Sequence, residues 1–231
     1  YRGVDTPPFL WYIVTIMEKI VTINDQELLI DWYKTAFLER YLAKEESKAL
    51  DFKKILDIGA FDCQESLTFT SLFPNATVIA FECSSYNLPN CRKNSNKSDR
   101  IILVEKMVTD TPSNTSFHRI TGGLSSMHPS KEYNADIVEV PTIRMDEYLD
   151  DSRIDLVWID VQGAELNVLR SFGDKLKNVN IIYCEVDIDN TRYDSDSTLD
   201  TVSQFLFNNG YLIKDKMILN PNEAHIILER T

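Results

Sequence analysis

Acidic side chains close four short apolar runs in this sequence. Carboxylates can accept protons, bind hydroxyl groups and hold hard cations. Each run has the length and composition of a buried strand, and the acids at the strand ends are Asp57, Glu82, Asp160 and Glu185, with Asp187 two residues further on. Because ligands bind at the carboxyl ends of the strands in open α/β sheets, we expect these acids to share one site.

The stretch ILDIGAFDCQES, residues 55–66, predicts a buried strand, a tight turn and the start of a helix. Gly59 leaves room for the backbone to approach a ligand, and the helix start offers free N–H groups. Glu82 follows Gly59 by 23 residues, an offset that suits an acid binding the ribose hydroxyls of a nucleotide-like cofactor. The predicted cofactor residues are Asp57, Gly59, Ala60, Phe61, Asp62, Gln64, Ser66, Glu82, Cys83, Met107, Val108 and Asp160.

Three of these assignments have plain structural alternatives. Asp57 either touches the cofactor or only orders the glycine turn. Met107 or Val108 either packs on adenine or only fills the core. Ser66 could equally bond to the backbone of its own helix.

The glycine turn also indicates which cofactor to expect. It lacks the three glycines of the dinucleotide-binding pattern, and a pyrophosphate would meet Phe61 and Asp62. This disfavours NAD and ATP. A cofactor with adenosine, a cationic centre and an amino-acid tail suits an acidic pocket better, and S-adenosylmethionine has all three.

Asp160 is the first candidate for the reaction centre. It follows a strand of Leu156 to Ile159 and precedes Gly163, where it could accept a proton from an attacking hydroxyl group. Glu185 is the second candidate for this role. Asp160, Glu185 and Asp187 together could also hold Mg²⁺. The structural alternative for Asp160 is an anchor for the following loop.

A polar stretch, residues 109–135, contains the pair Gly122-Gly123 and Ser125 and predicts a loop that folds over the substrate. His118 and His128 flank this pair, and either imidazole could act as a general base near pH 7, although a loop histidine is more often simply solvated. Gln162 and Glu165 are further substrate or loop candidates. The helix dipole alone would explain an acid at the position of Glu165.

The elements that must position these residues alternate between strands and helices from residue 50 onward, which predicts an open, mostly parallel α/β sheet with helices on both faces and a closing antiparallel hairpin. Residues 51–231 would form this domain. Residues 1–50 would be an extension that packs on it, with a strand or helix followed by an amphipathic helix over residues 25–49. This helix could pack on the core or form a homodimer face.

The composition limits the function further. The 231 residues include 43% apolar residues and carry a formal net charge of -12, which disfavours binding to nucleic acid or to an acidic membrane. No apolar run approaches the roughly 20 residues of a membrane span. The four cysteines fit no zinc pattern, so we expect reduced cysteines in a cytoplasmic protein. A first residue Tyr1 indicates a piece of a longer polypeptide.

Three segments, LDIGAFDCQESLTF, VIAFECSSYN and IDLVWIDVQGAELNVLRSF, together resemble the FkbM family of S-adenosylmethionine-dependent methyltransferases over about residues 50–215. The resemblance implies a Rossmann-like class I methyltransferase fold with a seven-stranded sheet. It also implies transfer of a methyl group to a hydroxyl group of a sugar or related small molecule, with a glycan or small-molecule acceptor. The start at Tyr1 adds the expectation of a fused or associated sugar-modifying enzyme.

Three positions depart from the family pattern. Cys63 stands where the family has Gly, Cys83-Ser84-Ser85 replaces Pro-x-Pro, and Gln162 replaces the Glu of D-x-E-G. The first two could reshape the cofactor pocket, and the third removes an acid from the reaction centre. Methylation of RNA or protein, and a non-catalytic S-adenosylmethionine-binding module, are the alternative functions.

Overall fold

A computed structural model describes residues 19–23, 26–30, 32–44, 51–111 and 115–231. The chain divides into two compact units, residues 1–49 and 50–231. In the first unit, β1 (Lys19–Ile23) pairs antiparallel with β2 (Gln26–Ile30), and α1 spans Trp32–Lys44. The predicted dimer role of this region stays a prediction.

The helix predicted over residues 25–49 was therefore wrong in its first part. Residues 26–30 form a strand, because the β-branched run of β1 pairs with them residue by residue, from Lys19 with Ile30 to Ile23 with Gln26. Such pairing overrides a helical spacing of apolar residues. The strand or helix predicted before that helix corresponds to FLWYIVTIMEKIVTI, residues 9–23, which lies outside the described residues except for residues 19–23.

A seven-stranded sheet forms the centre of the second unit. Its strands lie in the order β12, β13, β11, β10, β3, β4, β5. The five strands from β11 to β5 are parallel to one another, and β13 runs antiparallel to both β11 and β12. This confirms the predicted Rossmann-like sheet with its antiparallel hairpin. The strands are β3 (Lys54–Ile58), β4 (Thr77–Phe81), β5 (Ile101–Val104), β10 (Ile154–Ile159), β11 (Val179–Asp187), β12 (Tyr211–Asn220) and β13 (Glu223–Arg230).

Helices connect these strands, as the alternation predicted. They are α2 (Gln64–Leu72), α3 (Leu88–Ser95), α4 (Met145–Tyr148), α5 (Glu165–Ser171) and α6 (Leu199–Asn208), with a 3₁₀ helix at Gly173–Asn178. All six residues of β10 are buried. A strand covered on both faces needs a continuous apolar run, which is why this strand shows no polar alternation.

The apolar residues of RIILVEKMV, residues 100–108, predict one strand, but the segment forms two. β5 ends at Val104, where the N–H of Lys106 donates to the Val104 carbonyl at 2.9 Å and turns the chain. Met107–Val108 forms β6, which leaves the main sheet and pairs with β9 (Thr142–Ile143). The exposed pair Glu105 and Lys106 interrupts the apolar run at this point.

The loop of residues 109–135 contains one arm of a hairpin. β7 (Thr115–Arg119) pairs antiparallel with β8 (Asp136–Val140). A small apolar cluster of Met107, Phe117 and Val140 packs beneath this hairpin. The hairpin thereby holds residues 120–135 next to the end of the central sheet.

The expectation of four reduced cysteines was wrong. Cys63 and Cys91 form a disulfide with a Cα–Cα distance of 4.9 Å, and Cys83 and Cys184 are free. Their 28-residue separation concealed this pairing, because only packing of α2 beside α3 brings the two together. Among the described residues, no helix has the length and apolar character that crossing a bilayer requires.

Candidate active site

The glycine turn lies where the strand order of the sheet reverses, between β3 and β10. The N–H groups of Gly59 and Ala60 both donate to the Phe81 carbonyl at 3.0 Å. The N–H of Asp160 donates to the Ile58 carbonyl, also at 3.0 Å. These bonds fix the ends of three adjacent strands against one another, and ligands bind at such a reversal in open α/β sheets.

Asp57 lies beneath this turn and not in the crevice. Its side chain is buried and accepts a hydrogen bond from the Ser66 hydroxyl group. Burial raises the pKa of Asp57 to about 7, and the nearby carboxylates of Asp160 and Glu82 act in the same direction. The Asp57–Ser66 bond therefore joins β3 to α2 and supports the turn from below.

Glu82 closes β4 and is held by its own loop. Its Oε1 accepts hydrogen bonds from the N–H groups of Cys83 at 2.7 Å and Ser84 at 2.6 Å. The side-chain amide of Asn87 donates to Oε2 at 3.3 Å. Burial raises the pKa of Glu82, and these donors oppose that shift by stabilising the ionised form. The carboxylate is thus held in a fixed orientation.

A crevice opens above these strand ends. It receives ten of the residues that the sequence predicted for the site: Gly59, Phe61, Glu82, Cys83, Met107, Val108, Gly123, Ser125, Asp160 and Gln162. The other predicted residues lie outside its lining: Asp57, Ala60, Asp62, Gln64, Ser66, His118, Gly122, His128, Glu165, Glu185 and Asp187.

The lining also includes residues that the sequence did not indicate as site residues. They are Ile58, Phe81, Lys106, Phe117, Met127, Val161 and Ala164, together with Asn87, whose place five residues after Glu82 suggests only that it helps to position the loop. Phe117 and Met127 come from the β7–β8 hairpin and the loop it encloses. No pattern in the sequence places these segments next to the strand ends, so the sequence did not predict that Phe117 and Met127 line the crevice.

Asp160 and Glu185 are joined by the side-chain amide of Gln162. Its Nε2 donates to Asp160 Oδ1 at 2.6 Å and to Glu185 Oε1 at 3.0 Å. Gln162 Oε1 lies 2.9 Å from the Tyr193 hydroxyl group, which also lies 3.2 Å from the Leu124 carbonyl oxygen. Asp160 lines the crevice, whereas Glu185 is buried outside its lining.

The predicted metal set has protein donors around it. Asp160 and Glu185 share the Gln162 amide, and Asp187 forms an ion pair with Arg192. Arg192 also lies 3.0 Å from Glu223 and 3.7 Å from Glu185. Burial raises the pKa of Asp187, and the adjacent guanidinium group opposes this.

A second group of potential metal ligands, Glu185, Glu223 and His225, has donor atoms within 4.8 Å of one another. The guanidinium group of Arg192 forms ion pairs with both carboxylates of this group, Glu185 and Glu223. Nε2 of His225 lies 2.9 Å from Glu223 Oε1, and Nδ1 bonds to the Tyr183 hydroxyl group. These contacts give each ligand a protein partner.

The two loop histidines have structural partners. The N–H and carbonyl groups of His118 pair with Ser126, and burial lowers the pKa of its imidazole, with His128 adding to that effect. Nε2 of His128 lies 3.1 Å from Asn167 Oδ1, and the Asn167 amide donates to Asp110 Oδ1 at 3.0 Å. Ser125 Oγ spans the N–H and carbonyl groups of Ile120. These bonds shape the loop above the crevice.

Glu165 begins α5 and is fully buried. Its Oε1 accepts a hydrogen bond from the Gly163 N–H at 3.0 Å. Burial raises the pKa of Glu165 to about 8, and the carboxylates of Asp187 and Asp160 add to the shift. The side chain secures the loop between β10 and α5, so its visible contacts are structural.

The chain resembles known methyltransferases in both sequence and structure. It is 29% identical over 150 residues to the 2-O-methyltransferase NoeI of Sinorhizobium fredii (strain NBRC 101917 / NGR234), and the match covers 57% of this chain and 62% of that protein.

Two solved structures share its fold at low sequence identity. Precorrin-6y C5,15-methyltransferase from Geobacter metallireducens GS-15 has a TM-score of 0.52 and 18% identity, covering 92% of this chain and 94% of the other. Magnesium protoporphyrin IX methyltransferase from Synechocystis PCC 6803, solved with bound S-adenosylmethionine, has a TM-score of 0.52 and 8% identity, covering 86% and 80%. Both likenesses show the fold alone.

The family model described as the methyltransferase FkbM domain matches residues 57–213. This range begins at Asp57 in β3 and ends in β12, so it includes the glycine turn, Glu82, Asp160 and the Gln162 bridge. The match covers more than half of the chain and confirms the resemblance found in its motifs. The chain belongs to the FkbM methyltransferase family.

Proposed function

We propose that this protein is an S-adenosylmethionine-dependent O-methyltransferase that acts on a hydroxyl group of a sugar or related small molecule. The observation that carries the proposal is the convergence of Gly59, Glu82 and Asp160 on one crevice at the sheet reversal. Membership of the FkbM family supports methyl transfer. The name of the relative, a 2-O-methyltransferase, supports oxygen as the acceptor atom.

The residues of the crevice fit such a cofactor. Glu82 offers a fixed carboxylate that can accept hydrogen bonds from a ribose diol, and Gly59 brings a side-chain-free backbone to the crevice. Met107 and Val108 offer apolar surface for an adenine ring. When bound, S-adenosylmethionine supplies an electrophilic methyl group on a sulfonium centre, and the acidic lining from Glu82 and Asp160 suits that positive charge.

Asp160 is the residue placed to assist the acceptor. It lines the crevice and accepts a hydrogen bond from Gln162 on Oδ1. Its carboxylate can receive the proton of an acceptor hydroxyl group, a contribution of about 10²–10⁴-fold in rate. Alignment of reacting groups in such a crevice can supply up to about 7–11 kcal/mol. Glu185 acts on this centre through Gln162, because it does not line the crevice.

We infer that turnover requires no divalent cation. The Gln162 amide and the Arg192 guanidinium group already provide donors to Asp160, Glu185 and Asp187, where Mg²⁺ would otherwise bind. Turnover with a chelator such as EDTA should equal turnover with added Mg²⁺. A turnover rate that rises with the Mg²⁺ concentration and then saturates would contradict this inference and indicate that Asp160, Glu185 and Asp187 bind the metal.

The test of the function combines binding and turnover. Calorimetry should show binding of S-adenosylmethionine and of its demethylated product, and mass spectrometry should show the gain of one methyl group on a member of a panel of free glycans and nucleotide sugars. Asp160→Asn should lower turnover by about 10²-fold or more, a larger loss than its effect on cofactor affinity. The exposed acid Asp174 supplies a matched control, Asp174→Asn.

Two outcomes would reject this function. Binding of the cofactor without transfer to any hydroxyl acceptor, in wild type and variants alike, would indicate the non-catalytic module. Transfer to RNA or to protein but not to a glycan would indicate the other alternative. A cytoplasmic location also stays a prediction, to be tested by cell fractionation.

A further inference from the structure

Gln162 occupies the centre of a buried polar network. It is 8% exposed, and its amide nitrogen bonds to two carboxylates that belong to different strand ends, Asp160 after β10 and Glu185 in β11. The backbone at Gln162 has a φ of +55°. This left-handed conformation is unfavourable for a residue other than glycine, and the side-chain bonds to two carboxylates favour it here.

The neighbouring tyrosine fixes which way the amide points. Both hydrogens of Nε2 are used by Asp160 and Glu185, so Oε1 faces the Tyr193 hydroxyl group at 2.9 Å. Tyr193 is buried, and its hydroxyl group also lies 3.2 Å from the Leu124 carbonyl oxygen. The network therefore connects the loop that contains Gly123 to the carboxylate that lines the crevice.

The residue type at position 162 matters for charge. A carboxylate in place of this amide would lie within hydrogen-bond distance of Asp160 and Glu185 and would repel both. Adjacent carboxylates cannot all ionise at neutral pH, so one of them takes up a proton. An amide of the same size avoids this, because it donates to both carboxylates and carries no charge.

We propose that Gln162 is the positioning residue of the reaction centre: its amide, oriented by Tyr193, holds the Asp160 carboxylate at the crevice through a shared bond with Glu185. This inference rests on the proposed function, in which Asp160 receives the acceptor proton. It assigns a role to Gln162, which stands at the Glu position of the family's D-x-E-G pattern.

The first test is Gln162→Glu, with the exposed Gln204→Glu as a matched control for the added charge. Because the family pattern has Glu at this position, the variant should stay active, and we expect kcat at pH 7 to fall by about 3–10-fold, since one of the two carboxylates loses its neutral donor. The acid limb of the kcat profile should move up by about one pH unit or more, because the new carboxylate makes Asp160 harder to ionise. Cofactor affinity should change by less than the rate does.

A second readout does not depend on activity. In Gln162→Glu, folding should take up a proton near neutral pH, so the melting temperature of this variant should rise relative to wild type as the pH falls from 8 to 5. Gln204→Glu should follow the wild-type curve. Parallel melting curves and a superimposable kcat profile for Gln162→Glu would overturn the proposal.

Tyr193→Phe keeps the ring packing and removes only the hydroxyl group. We expect kcat to fall by about 3–10-fold, the value of one neutral hydrogen bond, with KM for the acceptor nearly unchanged. An unchanged kcat would overturn the orienting role of Tyr193. If wild type itself transfers no methyl group, the proposed function fails; the melting curves then still decide whether Gln162 keeps the carboxylates together.

Discussion

The backbone oxygen of Asp160 lies where a side chain at Gly59 would begin, since a Cβ on Gly59 would stand 1.9 Å from that oxygen. The backbone of the glycine also has a φ of +88°. The two strand ends that form the crevice can approach this closely only because residue 59 has no side chain. Close backbone approach and a left-handed conformation thus coincide at one position.

Gly59→Ala should therefore destabilise the fold more than a left-handed glycine elsewhere. Gly210 provides the control, because it has a φ of +83° and nothing within 4 Å of an added Cβ. We expect Gly210→Ala to cost about 1–2 kcal/mol from backbone strain, and Gly59→Ala to cost about 1–3 kcal/mol more from steric overlap. Chemical denaturation of both variants measures the difference. Equal losses would contradict the close approach.

Glu82→Gln should weaken cofactor binding by about 10–100-fold, because it replaces hydrogen bonds to a charged acceptor worth about 1.5–3 kcal/mol. The amide oxygen can still accept from the N–H groups of Cys83 and Ser84, so the fold should be kept. Calorimetry with S-adenosylmethionine measures the loss. Glu105→Gln, at an exposed acid paired with Arg92, should bind the cofactor like wild type.

Glu165 should make stability depend on pH. Its pKa is raised to about 8 in the fold from 4.5, so the folded protein holds a proton that the unfolded chain releases between these values. Stability should therefore fall as the pH rises from about 5 to 8 and stay low above that, at about 1.4 kcal/mol per unit of pKa difference as an upper bound.

Glu165→Gln should remove this dependence, since an amide of the same size has no proton to lose. The variant should gain stability over wild type at pH 9 and lose that advantage near pH 5. Melting temperatures across this range measure the effect, and Glu147→Gln, at an exposed acid, is the control. A variant that stays less stable than wild type at pH 9 would show that Glu165 is ionised in the fold.

Arg192→Met should destabilise the protein by about 3–5 kcal/mol, because it leaves buried carboxylates without their cation. Asp187 and Glu223 both pair with this guanidinium group. The loss should shrink at low pH, where the carboxylates become protonated. Urea denaturation at two pH values measures this, and Arg170→Met, which breaks an exposed pair with Asp196, should cost less than about 1 kcal/mol.

The sequence was sufficient for the sheet and for half of the crevice. Strand ends are readable because a buried parallel strand needs a continuous apolar run, and the first polar residue after it marks the edge where ligands bind. Gly59, Glu82 and Asp160 were found in this way. Asp57 was not distinguishable from them, because whether an acid points above or below a turn depends on Ser66 in the next helix.

The other lining residues depend on contacts between distant segments. Phe117 and Met127 reach the crevice because β7 pairs with β8, and no local pattern states where that hairpin will lie. The same applies to the Gln162 bridge, which needs Glu185 from a neighbouring strand and Tyr193 from a later loop. The motifs indicated that residue 162 is not the usual acid. They did not indicate that its amide joins the carboxylates of Asp160 and Glu185.

Because of the Cys63–Cys91 disulfide, the redox conditions of purification determine which covalent form of the protein is studied. It joins Cys63, the residue before α2 and next to the glycine turn, to Cys91 in α3, which follows the loop of Glu82. A thiol reagent in the purification buffer therefore removes a cross-link beside two segments that line the crevice. Samples made with and without reductant then differ in covalent structure, and their affinities for the cofactor should be measured separately. A thiol count distinguishes the two forms: the unfolded, disulfide-bonded protein has two reactive thiols, and the reduced protein has four.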